Sequence, residues 1–142
     1  MKKEPIIIVH VTVDNQNISR MEMPDGAVAI IPFTGTVEGE LFSGKVMPGA
    51  ADVQITNPAG VRHMCAQYML EGTDNTGAAC RIFVENHGYF ERDHHPKPFE
   101  TWPLLRTDSV ALRGYLHGTH FRAEGHSTET GVDILVFGTN LD

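Results

Sequence analysis

Glu85 and His87 stand two residues apart in a run from Ala78 to His87 that reads as a β-strand, so alternation sets them on one face. A carboxylate beside an imidazole raises the ring's pKa and fixes its tautomer, which makes an acid/base pair. Asp52 follows a turn tightened by Pro48 and Gly49, and two readings fit it. Its carboxylate either caps the turn by accepting backbone N–H bonds, or sits at a cavity mouth to anchor a ligand or take a proton. Tyr68, His120 and Arg122 add a hydroxyl, an imidazole and a guanidinium fork suited to a ligand carbonyl or carboxylate. An ordinary core aromatic is the competing reading of Tyr68. Trp102, between Thr101 and Pro103, either plugs one end of the fold or is buried at a subunit contact.

Eight histidines invite a metal reading, but their spacing argues against it. His94 and His95 are adjacent and point apart in an extended chain. His117 and His120 are three apart, which in a strand puts them on opposite faces. Surface histidines, no metal site and no cofactor are therefore the expectation. No G-x-S-x-G elbow, Walker A loop or G-x-G-x-x-G fingerprint is present.

The elements that position these groups read as short strands. Val, Ile and Thr number 33 against 18 for Leu and Ala, and β-branched side chains favour a pleated sheet. Turn signals at Pro24-Asp25-Gly26, Pro48-Gly49, Asn57-Pro58-Ala59-Gly60, Asp74-Asn75-Thr76-Gly77 and Gly125 to Gly131 divide the chain. Strands are expected over 6–13, 18–23, 27–40, 42–46, 53–56, 61–71, 78–87, 112–124 and 132–139, with one helical turn near Asp108 to Leu112. Residues 88–103, with Pro96, Pro98 and Pro103, read as a long ordered loop shading the site. Within 61–71 one face carries His63, Cys65, Gln67, Met69 and Glu71, and the other Arg62, Met64, Ala66, Tyr68 and Leu70. The polar face is either solvated or partly turned into a cavity. A chain of 142 residues suits one domain over 1–142. Hairpin-length connections and the bends at Gly35 and Gly39 favour an all-β fold, a closed or nearly closed antiparallel meander barrel of about eight to ten strands.

The segment Phe42-Ser43-Gly44-Lys45-Val46-Met47-Pro48-Gly49-Ala50-Ala51-Asp52-Val53-Gln54 resembles the signature of an uncharacterised bacterial family, domain of unknown function 3237. There a glycine-rich strand runs into Pro-Gly-(Gly/Ala)-Ala-Asp. The strand Ala66 to Glu71, the turn at Asp74 and the strand ending Val84-Glu85-Asn86-His87-Gly88 are similar to that family too. Val53 stands where the family commonly has tryptophan, Gln67 where it has arginine, and the usual Asp-Gly after the Tyr68 strand is missing. The resemblance implies a soluble barrel of eight to ten strands with a central cavity, often oligomeric, and no assigned reaction.

A net charge of −7 leaves no electrostatic footprint for a phosphate backbone, so nucleic acid is not an expected partner. Met1-Lys2-Lys3 is followed by only a four-residue apolar run, too short for a secretory signal, and no stretch suits a membrane-spanning helix. A cytoplasmic protein with Cys65 and Cys80 as free thiols is expected. The Leu104-Leu105 pair beside Trp102 is expected to be covered in a homo-oligomer. The leading function is a small-molecule-binding barrel with Asp52, Tyr68, Glu85, His87 and His120 around one cavity, and Arg122 and Trp102 as further ligand contacts. The alternatives are a cofactor-free isomerase, cyclase or lyase, with His87 moving a proton, Glu85 holding its tautomer and Asp52 or Tyr68 contacting a substrate oxygen, and an accessory subunit of a larger enzyme.

Overall fold

In a computed structural model of the chain, residues 4–92 and 94–139 are described. The strands are β1 (Ile7–Val13), β2 (Ser19–Met23), β3 (Gly26–Glu38), β4 (Phe42–Val46), β5 (Ala51–Thr56), β6 (Arg62–Asp74), β7 (Ala79–Phe90), β8 (Phe99–Thr107), β9 (Phe121–Ser127) and β10 (Gly131–Gly138). Around the barrel run β1, β10, β9, β8, β7 and β6. A position that β4 and β5 share end to end comes next, and β3 then pairs back with β1 and closes the sheet. Every pairing is antiparallel, and β2 hangs on β3 outside the ring, exposed along its whole length. The all-β closed barrel expected from the residues is the observed fold. Closure removes the open edges that an eight-position sheet would otherwise present.

Close strand approach is written into particular residues. Gly44 of β4 lies directly opposite Gly72 of β6. A Cβ on either would come within 2.7 Å of the other's Cα, so only a glycine pair lets these backbones meet. At the closing seam His10 of β1 bridges its two neighbours. Its Nδ1 lies 2.8 Å from Asp133 of β10 and its Nε2 2.8 Å from Glu38 of β3. Hydrogen bonds to the two carboxylates raise the His10 pKa above its ordinary value.

Two stretches differ from the sequence expectation. The loop expected over 88–103 spans only residues 91–98, because β7 continues to Phe90 and β8 begins at Phe99. Prolines argued against a strand there, yet Thr101, Pro103 and Leu105 are buried in strict alternation against exposed Trp102, Leu104 and Arg106. Burying that inner face outweighs the missing donor of Pro103. The strand expected over 112–124 begins only at Phe121, and residues Arg113–Gly118 form the helix α1. Leu112 and Leu116 are four apart and both buried, the spacing of a helical face. The Leu112 N–H donates to Ser109 Oγ at 3.1 Å, which starts the turn slightly later than expected. Among the described residues no helix is long and apolar enough to cross a membrane.

Inward-facing residues divide the barrel into two ends. At one end Val9, Leu70, Ile82, Leu105 and Val136 are almost wholly buried, and Leu112 and Leu116 join the same cluster from the chain after β8. At the other end, under the 91–98 loop, the walls stand apart and enclose a cavity.

Candidate functional site

The cavity measures about 790 Å³ and is lined by β1, β3, β5, β6, β7, β8, β9 and β10 together with His95, Pro96, Lys97 and Pro98 of the loop. Its apolar wall includes Phe33, Met64, Phe90 and Ile134. The Phe33 and Tyr68 rings pack edge to face with centroids 5.1 Å apart. Gly125 is part of the wall because the Phe99 ring covers it, and a side chain there would collide with that ring.

Several polar groups interrupt this wall, and four of them carry a buried atom without a partner. Asp52 and Arg62 come from the paired strands β5 and β6, Asn86 from β7 and Thr101 from β8. Asp52 accepts a hydrogen bond from Gln54 Nε2 at its Oδ2, 2.9 Å away, and its Oδ1 is buried without a partner. Burial pushes the Asp52 pKa above its ordinary value, opposed by the Gln54 bond and the nearby Arg62 charge. Arg62 lays its guanidinium 4.8 Å from the Phe90 ring centroid, while its Nε is buried and unpartnered. Asn86 Oδ1 and Thr101 Oγ1 are likewise buried with no partner. Burial holds the Tyr68 hydroxyl firmly protonated.

Of the residues singled out by sequence, Asp52 and Tyr68 line this cavity. Glu85, His87, His120, Arg122 and Trp102 do not. In the β6–β7 register His63, Cys65 and Gln67 lie opposite Tyr89, His87 and Glu85, so the polar odd-numbered face is the outer wall. The even-numbered face of Arg62, Met64, Ala66 and Tyr68 turns inward because burying it removes more apolar surface from water. Trp102 sits opposite His87 on that outer wall and is 52% exposed, so it neither plugs the barrel nor touches the cavity. Arg122 pairs with Glu124 at 3.0 Å and lies over the outer Phe137 ring. His120 precedes β9 as an exposed residue whose carbonyl accepts from the Thr139 hydroxyl. Leu105 is a core residue, and only Leu104 of that pair faces outward. Asp52 is not a turn cap either: its Oδ2 accepts from the Gln54 side chain and its Oδ1 has no partner, so neither oxygen takes a backbone N–H.

Sequence reasoning missed Arg62, Asn86 and Thr101. The available signal was a single polar residue on an otherwise apolar strand face. Asn86 follows Cys80, Ile82 and Val84, and Arg62 precedes Met64, Ala66, Tyr68 and Leu70.

A closed antiparallel barrel with a part-polar cavity at one end is the class that fold and site define. The family described as Protein of unknown function (DUF3237) matches residues 1–98, and the chain belongs to it. Two curated bacterial relatives are each named UPF0311 protein. One from Clostridium acetobutylicum is 36% identical over 89 residues, covering 62% of this chain and 54% of its own. The other, from Rhodopseudomonas palustris, is 43% identical over 68 residues, covering 47% of this chain and 42% of its own. The chain thus spans about half the length of the curated relatives it matches. A crystal structure of a protein of unknown function from Clostridium acetobutylicum superposes with a TM-score of 0.79 at 25% identity, over 99% of this chain and all of that one. A beta-barrel like protein from Acinetobacter baumannii shares the fold, with a TM-score of 0.73 at 20% identity over 95% of this chain and 93% of that one.

Proposed function

We propose that this protein is a small-molecule-binding barrel whose ligand occupies the cavity beneath the 91–98 loop. One observation carries this reading. The four buried side-chain atoms left without a hydrogen bond among the described residues, Asp52 Oδ1, Arg62 Nε, Asn86 Oδ1 and Thr101 Oγ1, all belong to residues lining that cavity. An unpaired buried polar group costs about 1–3 kcal/mol, so four in the residues around one space favour an occupant toward which these side chains turn to pair. Asn86 Oδ1 only accepts, Arg62 Nε only donates, the Thr101 hydroxyl does either, and Asp52 Oδ1 accepts when ionised and can donate when protonated. The matching ligand has a compact apolar body for Phe33, Met64 and Phe90 and carries both donor and acceptor groups, as a hydroxyketone or carboxamide does. A volume of about 790 Å³ suits such a molecule.

Catalysis is the second reading, and Asp52 is the observation that favours it. It is the carboxylate among the described lining residues, and burial favours its protonated form. In that reading Asp52 exchanges the proton and Tyr68 contacts a substrate oxygen. Glu85 and His87 take no part, because the sheet separates them from the cavity. The proposal includes a cytoplasmic setting, supported by the free thiols of Cys65 and Cys80. It also includes a homo-oligomer, supported by outward-facing Trp102 and Leu104.

Nile red, a neutral apolar dye, tests the cavity. Its fluorescence is expected to rise saturably with one site per chain and to fall back on addition of aromatic carboxamides or hydroxyketones. Ala66→Trp, which fills the cavity from its wall, is expected to abolish the rise while thermal unfolding shows the protein still folded. Equal dye binding by the folded Ala66→Trp variant overturns the proposal.

A further inference from the structure

The outer wall of β6 and β7 carries a second cluster, on the opposite side of the sheet from the cavity. Cys65 lies directly across from His87 in the strand register, and Glu85 is two residues before His87 on the same face. Cys65 Sγ is 3.9 Å from His87 Nε2, and Glu85 Oε2 is 3.6 Å from the same nitrogen. One donor atom from each of the three side chains falls within 4.8 Å of the others. We propose that Cys65, Glu85 and His87 form a binding site for a zinc-like divalent transition metal, with a fourth position not filled by these three side chains.

The geometry fits that ion. Zinc takes sulfur at about 2.3 Å and nitrogen at about 2.0–2.1 Å, so tetrahedral angles set a sulfur and a nitrogen ligand about 3.6 Å apart. The nitrogen–oxygen separation comes out near 3.4 Å by the same construction. The observed 3.9 and 3.6 Å to His87 need a few tenths of an ångström of closure, and the Cys65–Glu85 edge, within 4.8 Å, closes toward about 3.6 Å by side-chain rotation on two strands already joined by a long ladder. Thiolate, imidazole and carboxylate together suit zinc better than magnesium or calcium, which take oxygen ligands.

A supporting shell is an independent observation. Metal-bound histidine and carboxylate groups are normally held by outer hydrogen bonds. Gln67 Nε2 donates to Glu85 Oε1 at 2.7 Å, which leaves Oε2 turned toward His87. His63 Nε2 lies 3.2 Å from His87 Nδ1. When His87 donates its Nδ1–H to His63, its Nε2 lone pair is free and points toward Cys65 and Glu85. His63 in turn is stacked on Tyr89, with centroids 4.7 Å apart and planes 19° from parallel. Binding replaces the Cys65 S–H bond with an S–metal bond and releases that proton to solvent, with no change of oxidation state. The sequence expectation of no metal site weighed His94, His95, His117 and His120. These ligands come instead from residues two apart on one strand and opposite on its neighbour, the spacing that sheets use.

The test is a cobalt(II) titration of the full chain after chelator treatment. A sulfur-to-cobalt charge-transfer band is expected to saturate at one equivalent and to disappear on addition of zinc. Cys65→Ser is expected to remove the band and Cys80→Ser to leave it unchanged. Because Cys65 is partly buried, His87→Gln, at a side chain 39% exposed, serves as the second ligand variant, and it is expected to lose binding while remaining folded by circular dichroism. His63→Phe, a positioning variant, is expected to weaken binding 10- to 100-fold with the band shape retained. No charge-transfer band in the wild type, a band that survives Cys65→Ser, or undiminished binding in His87→Gln overturns the proposal.

Discussion

Ser109 and Thr101 are hydroxyl residues buried to the same degree, each 3% exposed, at opposite ends of the barrel. Ser109 donates to Asp74 Oδ2 at 2.7 Å and accepts from the Leu112 N–H, whereas Thr101 Oγ1 has no partner. The aspartates repeat the contrast. Asp74 accepts from Thr76, Ala78 and Ser109 and its pKa is drawn down to about 2, chiefly by the Thr76 and Ser109 hydroxyls. Asp52 has one partner, and burial drives its pKa upward. One end of the barrel uses its polar groups to hold turns and strands together. The other end leaves four buried polar atoms without a partner.

Packing differs between the two ends as well. Leu70 is fully buried at the closed end, and Leu70→Ala is expected to lower stability by about 2–5 kcal/mol, since both transfer and cavity terms apply. Met64 borders a space that already exists, so Met64→Ala forfeits contacts without opening a new void and is expected to cost less than half as much. Chemical denaturation of both variants measures this. Equal losses would mean that the two ends are packed alike.

Acid titration sharpens the comparison with opposite signs. Asp74 has a folded pKa below its ordinary 3.8, so its contribution is present above about pH 4 and is lost as pH falls toward 2. Asp52 has a folded pKa above 3.8, so ionising it works against folding, and stability declines as pH rises from about 4 through its folded value. Asp74→Asn is expected to flatten the loss below pH 4, while Asp52→Asn flattens the decline above it. Melting temperatures from pH 2 to 7 for the two variants and the parent give the slopes. The same slope change in both variants would contradict the assignment.

How much of this was legible in the sequence differs between the same two regions. The strands show in the β-branched alternation of Val9, Val11 and Val13, and the bends in Gly35 and Gly39. β8 hid behind Pro96, Pro98 and Pro103, because proline statistics describe the ladder and not the inner face that Thr101 and Leu105 fill. α1 hid because six residues are too few to display a period. The cavity was harder still. Alternation grouped Glu85 with His87 and Tyr68 with Met64 correctly, but which group faces inward depends on burial summed around the whole ring. Polar residues looked functional where they were numerous, on the outer face. The isolated ones, Asn86 and Thr101, were the ones that closure carried inside.

At the cavity end four buried polar atoms have no hydrogen-bond partner among the described residues. Urea unfolding of Thr101→Val beside Ser109→Ala tests this most directly. Thr101→Val keeps shape and strand preference while removing an unpaired hydroxyl, so stability is expected to rise by about 1 kcal/mol. Ser109→Ala deprives Asp74 of a donor and Leu112 of an acceptor, so stability is expected to fall by about 1–2 kcal/mol. A fall of similar size in both variants would contradict the account, because it would mean that the Thr101 hydroxyl is bonded within the fold as firmly as that of Ser109.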